Sequence, residues 1–452
     1  MSNKKVALEI VNPHAAGIDV GSRSHYVAIG QSAEDVKEFG VYAEDLKELV
    51  DWLLENNIET VAMESTGTYW QNLFATLQQA GLKVILVNGK FTKNIQGKKT
   101  DVKDCQWLQK LHSIGLLTGS FLPDHATEQL RTYCRHRSSL IDTAADTTRR
   151  MQKYLRLLNL RLDIVVKDIT GLTGLAIIEA ICKGETNAEA LSSHRHGNCR
   201  KSKEEIEKSL QSNGRQDYLF ALQQEFEMYK MLQKKITECD AAMNNLLIEQ
   251  ISNDENKKRL KAEKKVHKRI NKNAPKNIDI NQLAYQHFNG IDLMNIEGVS
   301  HNTVIALMSE VGYDGLKKFE SAKQFTSWLR LSPNNKISGG KILSNRIAKG
   351  SNRLKIALRN AANAIGNLKD THLSNFFKRV CFRRGRPAAI SATARKLAVV
   401  IWNMIVKGIP YQPPTTYEFL DQKRKRKVQE MKKLIHKFDI KTHELGLQLI
   451  RL

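Results

Sequence analysis

Four acidic residues in the first quarter of the chain have the types and positions that a carboxylate active site requires. Asp19 lies in the apolar stretch GIDVGS just before a glycine turn, and Glu64 follows the apolar residues of VAMES. Asp101 and Asp104 open a helical stretch three residues apart, which puts both on one helix face. In an open α/β sheet, the carboxyl ends of adjacent strands form the ligand crevice. The sequence therefore predicts that the four carboxylates converge on one point.

Four carboxylates around one point repel one another unless cations lie between them. Hard oxygen ligands select Mg²⁺ or Mn²⁺, and two such ions can hold the attacking and leaving oxygens of a phosphodiester. Each acid also has a simpler explanation: Asp19 could cap a turn, Glu64 could be a strand-end charge, and an Asp pair suits a helix N-terminus. The metal site is predicted from the four acids together, since each one alone favours the simpler explanation.

The second candidate stretch, NNKISGGKILSNRIAKGSNR at 334–353, contains basic residues and no acid. No Asp or Glu occurs between Glu320 and Asp370, a gap of 49 residues, whereas ten Lys and Arg residues lie between positions 321 and 369. Such a positive field attracts phosphate and repels carboxylates. The predicted nucleic-acid-binding residues are Lys98, Lys99, Lys336, Gly339, Gly340, Lys341, Arg346, Lys349 and Arg353.

A serine stands beside a glycine pair in this stretch. Gly339 and Gly340 allow the backbone to turn and to approach a ligand closely, and Ser338 precedes them. A reachable serine can be activated as a nucleophile, or it can simply donate a hydrogen bond to a phosphate. The residue types leave both roles open, and Ser344 and Ser351 are rival nucleophiles in the same stretch.

Composition narrows the class of partner. The chain of 452 residues can bury more than one core, and its formal charge of +24 indicates a polyanionic partner, either nucleic acid or an anionic membrane. No apolar run approaches transmembrane length, and residues 1–10 lack the apolar centre of a signal peptide. We therefore expect a cytoplasmic nucleic-acid protein. The six cysteines are scattered and predict reduced thiols.

Strand and helix signals alternate along residues 1–120. VALEIV, AAGIDVG, HYVAIG, FGVYA, TVAMES and KVILVN predict strands, and EDLKELVDWLLENN, YWQNLFATLQQAG and DVKDCQWLQKLHSIGLL predict helices. Several strands followed by alternating helices and strands indicate a mixed sheet with helices on its faces. This order matches a ribonuclease-H-like α/β fold. For the rest of the chain we predict long coiled-coil helices and then a mostly α-helical C-terminal domain.

Changes in composition predict five regions. They are an α/β catalytic domain at 1–122, a helical and coiled-coil region at 123–252, a basic linker at 253–282, a helical domain with Ser338 at 283–412 and a basic helical tail at 413–452. In the helix predicted for about 216–250, the apolar residues Leu222, Phe226, Tyr229, Leu232, Ile236, Cys239, Met243 and Leu246 form a heptad seam with one slip. This seam suits either a second chain or a hairpin within one chain.

The four acids, in this order and context, resemble the DEDD signature of the insertion-sequence-110 family of transposases. TDVKDCQWLQKLHSIGLLTGSF resembles the end of that family's catalytic domain, and MNIEGVSHNTVIALMSEVG resembles its helix-hairpin-helix segment. FTSWLRLSPNNKISGGKIL and RPAAISATARKLAVVIWNMI resemble its C-terminal transposase domain. The resemblance covers nearly the whole chain and is weakest in the basic linker.

The resemblance implies that Asp19, Glu64, Asp101 and Asp104 bind metal in a RuvC-like domain. It also implies that Ser338 is the catalytic nucleophile before the glycine pair. Members of the family are implied to recombine donor and target DNA through a structured non-coding bridge RNA, which pairs with both DNAs.

The sequence therefore predicts an insertion-element transposase that uses Mg²⁺ or Mn²⁺ and exchanges DNA strands by phosphodiester transesterification. We expect it to act as a homodimer or homotetramer. One alternative is a RuvC-like, metal-dependent, structure-specific DNA nuclease with a passive DNA-binding C-terminal domain. Another is a non-catalytic nucleic-acid scaffold.

Overall fold

The chain divides into two compact units, Met1–Leu122 and Pro123–Leu452. The computed structural model describes residues 9–89, 100–263, 272–350, 352–413 and 416–439. Lys98, Lys99 and Ser351, three of the residues singled out above, lie outside the described residues.

The N-terminal unit is a mixed sheet with helices. Its elements are β1 (Ala15–Val20), β2 (His25–Ala28), β3 (Val36–Phe39), α1 (Ala43–Glu55), β4 (Thr60–Glu64), α2 (Trp70–Gln79), β5 (Lys83–Val87) and α3 (Asp101–Ser113). The strand order is β3-β2-β1-β4-β5. β2 is antiparallel to both β1 and β3, and β4 is parallel to both β1 and β5. The prediction of an N-terminal α/β domain with a mixed sheet is confirmed.

The two faces of this sheet are covered differently, because successive residues of a strand point to opposite sides. Ala16, Ile18 and Val20 of β1 lie in a buried core with leucines of α1 and α2. Gly17, between them, lies directly against α3, next to the backbone of Cys105 and Gln109. The helices α1 and α2 therefore cover one face, and α3 covers the face that also carries Asp19.

One predicted strand, FGVYA, is wrong. The third strand instead runs from Val36 to Phe39 and ends before Gly40. The reason is the start of α1, where the Asp45 carboxylate accepts a hydrogen bond from the backbone nitrogen of Tyr42 at 2.9 Å. That carboxylate fills the space beside Gly40, so the chain turns there and does not extend the strand.

The described part of VALEIV, residues 9–11, is also not a strand. The backbone nitrogens of Val11 and Asn12 both donate to the carbonyl of Ser113, each at 2.8 Å. The side-chain amide of Asn12 donates to the carbonyl of His112, also at 2.8 Å. This segment therefore satisfies the free carbonyls at the C-terminal end of α3, which an α-helix leaves without partners.

The second unit is mostly helical, as predicted. Its elements are α4 (His125–Leu157), α5 (Leu162–Val165), α6 (Leu172–Cys182), α7 (Ala188–Ser193), α8 (Lys203–Ser209), α9 (Gln216–Ser252), α10 (Glu255–Arg259), α11 (Ile280–His287), α12 (His301–Glu310), α13 (Tyr313–Lys317), α14 (Ala322–Trp328), β6 (Lys336–Ser338), β7 (Lys341–Ser344), α15 (Arg353–Ile365), α16 (His372–Arg384), α17 (Arg386–Lys407) and α18 (Thr416–Lys437). All six cysteines are free thiols, as predicted.

The apolar seam of α9 packs against α4 of the same chain. Leu222, Phe226, Tyr229, Leu232 and Ile236 share one buried core with residues of α4 that include Met151 and Leu155. The structure therefore places the seam within one chain. The last predicted seam position, Leu246, is wrong: it is only half-buried, whereas Leu247 is 1% exposed. The step from Met243 is four residues because a straight helix has 3.6 residues per turn.

A buried ion pair also joins α4 to α9. The Nε atom of Arg137 donates to one Asp240 carboxylate oxygen, and both side chains are less than 10% exposed. The other carboxylate oxygen accepts from the backbone nitrogen of Lys276 at 3.0 Å, and Arg137 donates to the carbonyl of Asn273 at 3.0 Å. Both charges are thus hydrogen-bonded as well as paired, which a buried ion pair requires.

The longest apolar helix of the described residues is α17. By length and composition it could cross a membrane, contrary to the prediction that no apolar run reaches that length. Half of its apolar window is buried within the unit. Leu397 and Ile401 are buried, and the indole of Trp402 donates to the carbonyl of Phe319 at 3.1 Å. These contacts are those of a core helix packed against its neighbours.

Candidate active site

The close approach of α3 to β1 positions the first group of candidate residues. A Cβ atom at Gly17 would overlap the backbone nitrogen of Gln109 and lie 2.5 Å from the carbonyl oxygen of Cys105. Only glycine allows the helix to lie this near the strand. Asp101 is one turn before Cys105 on the same side of α3, and Asp19 is two residues after Gly17 on the same side of β1. The packing therefore brings the helix acids over the strand acid.

Asp19, Asp101 and Asp104 converge, and one carboxylate oxygen from each lies within 4.8 Å of the other two. Asp101 is exposed, and the other two are half-buried. Helix α3 begins directly at Asp101, because the hydroxyl of Thr100 caps it by accepting from the backbone nitrogen of Lys103 at 3.3 Å. Three carboxylates at this spacing offer the hard oxygen ligands that a divalent cation takes.

Glutamine side chains hold α3 on the sheet. Gln109 is 7% exposed, and its amide donates to the carbonyls of Ala15 and Ile29 at 3.2 and 3.3 Å. The amide of Gln31 donates to the side-chain oxygen of Gln109 at 2.6 Å and to the carbonyl of Gln106 at 2.9 Å. These bonds link α3 to the ends of β1 and β2, so the position of the helix acids does not depend on apolar contact alone.

The fourth predicted acid, Glu64, lies outside this three-carboxylate group. It ends β4 opposite Val87, and Met63 before it pairs with Leu86. Ile18 is in register with Met63, so Asp19 and Glu64 occupy the next position on neighbouring strands. The Glu64 carboxylate lies against Gly89, where a Cβ atom would overlap its Oε1. The sheet thus places Glu64 beside Asp19, with its carboxylate turned toward Gly89.

Negative charge affects two further residues at this site, neither of which was singled out from the sequence. Burial, together with the Asp19 and Asp104 carboxylates, raises the pKa of the Cys105 thiol to about 12. A hydrogen bond to Glu38, burial and the charge of Asp101 raise the pKa of Tyr26. Tyr26 stands directly opposite Asp19 in the β1–β2 pair. The pairing of the two predicted strands could have identified Tyr26, since opposite residues in an antiparallel pair share a face of the sheet.

The second candidate, Ser338, lies on a β-hairpin, where the sequence predicted a loop. β6 and β7 pair antiparallel, with Ser338 opposite Lys341. Gly339 and Gly340 form the two-residue turn, with φ values of +53° and +73°. Positive φ at both turn positions is the geometry that fits the twist of a hairpin and favours glycine. Ser338 therefore sits exposed at the hairpin tip.

The rival serines are placed differently. Ser344 is half-buried at the hairpin base, and its hydroxyl accepts from the backbone nitrogen of Arg346 at 3.3 Å. Ser351 lies outside the described residues. The hydroxyl of Ser338 forms no hydrogen bond with any residue that the structure describes. Of the two described serines, Ser338 is the more accessible to a phosphate.

A contact at the hairpin base was missed by sequence reasoning. The guanidinium of Arg330 donates to the carbonyl of Lys349 at 2.6 Å. It passes so close to Gly350 that a Cβ atom there would overlap it, and Gly350 has a φ of +134°. The backbone nitrogen of Asn334 donates to the carbonyl of Arg346 at 3.0 Å across the two arms. Arg330 is therefore a positioning residue for the hairpin that carries Ser338.

The predicted cations of this segment are all exposed: Lys336, Lys341, Arg346, Lys349 and Arg353. Within the described part of the chain, none of these five forms an ion pair with an acid. Nearby, burial and the charges of Arg359 and Arg330 lower the pKa of Lys355. The hairpin and its base thus form a positively charged surface, as the acid-free sequence predicted.

The two histidines closest in sequence to the hairpin, His301 and His372, each bond to a side chain outside it. The ring of His301 bonds to the side-chain oxygen of Asn281 at 3.1 Å, and the ring of His372 bonds to Lys396 Nζ at 2.8 Å. His194, His196 and Cys199 lie close together in sequence, but a zinc site would need a fourth ligand at a suitable spacing. Among the described residues, the group that could hold a metal is Asp19, Asp101 and Asp104.

Two family models match the chain. Residues 16–159 match the IS110 DEDD transposase model, and residues 292–378 match the model of the transposase IS116/IS110/IS902 family. The chain belongs to the IS110 family of transposases. The first range contains the four predicted acids, and the second contains the hairpin with Ser338. No curated protein sequence matches this transposase.

Family membership makes the protein a transposase of an insertion element, and DNA is its substrate. A DEDD transposase domain implies a divalent metal, and the convergence of Asp19, Asp101 and Asp104 fits that requirement.

Proposed function

We propose that this transposase cleaves and exchanges DNA strands with a carboxylate-held divalent metal site and the nucleophile Ser338. The observation that carries the proposal is the convergence of Asp19, Asp101 and Asp104 on a chain with two transposase regions. The N-terminal unit is a ribonuclease-H-like, RuvC-like domain in this proposal. The strand order β3-β2-β1-β4-β5, with its antiparallel first three strands, supports that assignment.

The proposed metal ligands are Asp19, Glu64, Asp101 and Asp104, and the proposed metal is Mg²⁺ or Mn²⁺. An all-carboxylate donor set fits these hard cations. When bound, such cations neutralise the clustered charge and polarise a phosphodiester. Glu64 would join the other three by a side-chain rotation away from Gly89, since its backbone position on β4 is already next to Asp19.

Ser338 is the proposed nucleophile of the transesterification. Its Oγ forms a bond to phosphorus as the hydroxyl proton leaves, and the bond from phosphorus to one deoxyribose oxygen breaks. That oxygen takes up a proton and becomes the free hydroxyl. Rejoining is the reverse step. A hydroxyl of the partner strand attacks the phosphorus, the bond from phosphorus to the Ser338 Oγ breaks, and Oγ takes up a proton to become a free hydroxyl again. The exposed position of Ser338 at a glycine turn supports this role.

The cations of the hairpin would hold the phosphates on either side of the reacting one. Lys341 faces Ser338 across the turn, and Lys336 lies two residues before it on the same strand. Gly339 and Gly340 leave open space around the tip, because no described atom lies within 4 Å of a Cβ placed at either residue. A DNA backbone can therefore approach this hairpin closely. Lys98 and Lys99 remain proposed contacts of the N-terminal region.

Guidance by a structured bridge RNA and action as a homodimer or homotetramer belong to the same proposal. Family membership and the net charge of +24 support the RNA partner. The need to hold several DNA strands at once supports the oligomer. The five predicted regions, with boundaries at 122, 252, 282 and 412, are likewise proposed.

Metal binding and strand cleavage test the proposal together. Purified transposase should bind Mn²⁺ in calorimetry and nick a supercoiled plasmid that carries the ends of the element, and EDTA should stop the nicking. Asp19→Asn should lose both properties, whereas the control Asp51→Asn, an exposed acid of α1, should keep both. If Asp19→Asn bound Mn²⁺ as tightly as the unmodified protein, the proposed metal site would be wrong. Nicking without a protein–DNA adduct would indicate the alternative nuclease.

A further inference from the structure

Positive charge continues well beyond the hairpin. Between positions 321 and 417 the chain has 18 Lys and Arg residues and a single acid, Asp370, so this segment carries +17 of the net +24. Seven of these cations lie between positions 378 and 396, at the end of α16 and the start of α17, which meet at Gly385. We call residues 376–396 the corner. This corner is separate in sequence from the hairpin, and the proposed chemistry does not use it.

The corner is rigid. Leu373 and Phe377 anchor the inner face of α16 in the core, at 0% and 2% exposure. Gly366 at the end of α15 packs against the Phe377 ring, since a Cβ atom there would lie 2.6 Å from the ring. Gly385 ends α16 and starts α17 at a φ of +80°, and Pro387 fixes the first turn of α17. The outer surface of the corner is thus held in one geometry.

An aromatic ring stands on that outer surface. Phe382 is 93% exposed, and it lies on the side of α16 opposite the buried Phe377. Lys378 and Arg379 precede it by four and three residues, so all three share one helix face. An open groove lies beside them, lined by Phe376, Lys378, Arg379, Val380, Phe382 and Arg383. Folding does not account for an exposed phenylalanine among cations, because the ring buries almost no surface in this chain.

Three of the cations around the ring are available for phosphate. Among the described residues, Lys378, Arg383 and Arg384 form no ion pair with an acid. Arg386 is held instead by neutral amides, donating to the side-chain oxygens of Asn363 at 2.7 Å and Asn367 at 3.1 Å. These bonds orient the guanidinium without neutralising it. The ring therefore lies beside three cations, Lys378, Arg383 and Arg384, that no described acid pairs with.

We propose that this corner binds an unpaired strand of nucleic acid, with Phe382 stacking on a base and the neighbouring cations on its phosphates. Single strands are held in this way because every base has a π-face that an aromatic ring can stack on. A paired duplex keeps its bases stacked and offers no such face. The inference rests on the proposed function only in taking nucleic acid as the ligand, and it is independent of the carboxylates and Ser338.

Fluorescence anisotropy with the full-length protein tests the site. The probes are labelled single-stranded DNA and single-stranded RNA of one mixed sequence of about 20 nucleotides, long enough to cover a typical single-strand site, and the matching DNA duplex. Phe382→Ala should weaken single-strand binding by roughly five- to a hundredfold, the range for loss of one stacked base. Phe382→Trp should restore it. The control is Phe220→Ala, a 65%-exposed phenylalanine on α9, which should bind like the unmodified protein.

Each outcome decides the proposal. Weaker binding of Phe382→Ala to single-stranded RNA alone, to single-stranded DNA alone or to both supports the site and identifies which strand it binds. Unchanged single-strand binding by Phe382→Ala, an equal loss on the duplex, or an equal loss in the Phe220→Ala control would overturn it. A fall in oligomer mass in light scattering on Phe382→Ala would also overturn it, by assigning the ring to a protein interface. Phe382→Ala should bind Mn²⁺ like the unmodified protein, which separates this test from the test of the metal site.

Discussion

Gly17 of β1 lies directly under Gln109 of α3, so close that a Cβ atom on residue 17 would overlap the backbone nitrogen of residue 109. This contact sets the height of α3 above the sheet. The height in turn decides whether Asp101 and Asp104 can reach Asp19.

Gly17→Ala should therefore separate the carboxylates without removing any of them. Overpacking of this kind costs about 1–3 kcal/mol of folding stability, and the helix must move to accommodate the methyl group. We expect a lower unfolding temperature, weaker Mn²⁺ binding and at least a tenfold loss of plasmid nicking. The control is Gly119→Ala in the same unit, where a Cβ atom meets only ordinary contacts with Ile85 at 3.5 Å or more. Unchanged Mn²⁺ binding by Gly17→Ala would mean that α3 does not set the site.

The base of the hairpin gives a second prediction. Gly350→Ala places a methyl group against the Arg330 guanidinium and forces a non-glycine residue to a φ of +134°. The Arg330 bond to Lys349 should break, and strand cleavage should slow at least tenfold while Mn²⁺ binding is unchanged. Gly184→Ala is the matched control, because Gly184 has a φ of +96° and no neighbour within 4 Å of a Cβ. An equal loss of activity in both variants would show that backbone strain, and not the contact with Arg330, causes the effect.

The salt dependence of DNA binding gives a third prediction. A surface that neutralises roughly 6–10 phosphates should weaken in affinity by about 10³–10⁵ between 50 and 200 mM salt. Changing Lys336, Lys341 and Arg346 to glutamine should flatten the slope of log affinity against log salt by about 0.9 for each phosphate that is no longer neutralised. Anisotropy titrations over a series of salt concentrations measure this slope.

The control for that slope removes three charges elsewhere. Lys201, Lys235 and Lys258 each pair with a nearby glutamate in the structure. Their change to glutamine alters the net charge of the chain by the same amount as the hairpin variant. An equal flattening of the slope in this control would show that net charge, and not the hairpin, governs binding.

The seam of α9 gives a fourth prediction. Met243 is 1% exposed on the seam of α9, whereas Met231 is 49% exposed on the outer side of the same helix. Met243→Glu should lower stability by at least the roughly 2–5 kcal/mol that alanine costs at a buried position, because it also buries a charge. Ile236→Glu should behave likewise, and Met231→Glu should be close to neutral in thermal unfolding. A smaller mass in light scattering with unchanged stability of Met243→Glu would assign the seam to two chains.

Much of the N-terminal architecture follows from the sequence, because short apolar runs that end in Asp19 and Glu64 define the strands. The contact between Gly17 and Gln109 does not follow, since it joins positions 92 residues apart through a backbone approach that no local pattern encodes. The orientation of the Glu64 carboxylate toward Gly89 is likewise a tertiary property.

The hairpin and the seam differ from the sequence-based description for local reasons. The glycine pair between KIS and KILS is a signal for a two-residue hairpin turn, yet the charge of the segment favoured a loop. Leu247, and not Leu246, is buried because α9 follows the 3.6-residue period of a straight helix rather than a heptad. The charge of the region, by contrast, could be predicted from composition alone.

The covalent intermediate tests the central claim most directly. Transposase incubated with Mg²⁺ and DNA that carries the ends of its element should form a protein–DNA adduct that survives denaturation, and mass spectrometry should map it to Ser338. Ser338→Ala should bind the DNA with unchanged affinity and form no adduct, whereas the control Ser344→Ala should still form it. An adduct that persists in Ser338→Ala and maps to Ser344 or Ser351 would contradict the residue assignment. Cleavage of the DNA by the unmodified protein without any adduct would contradict the mechanism.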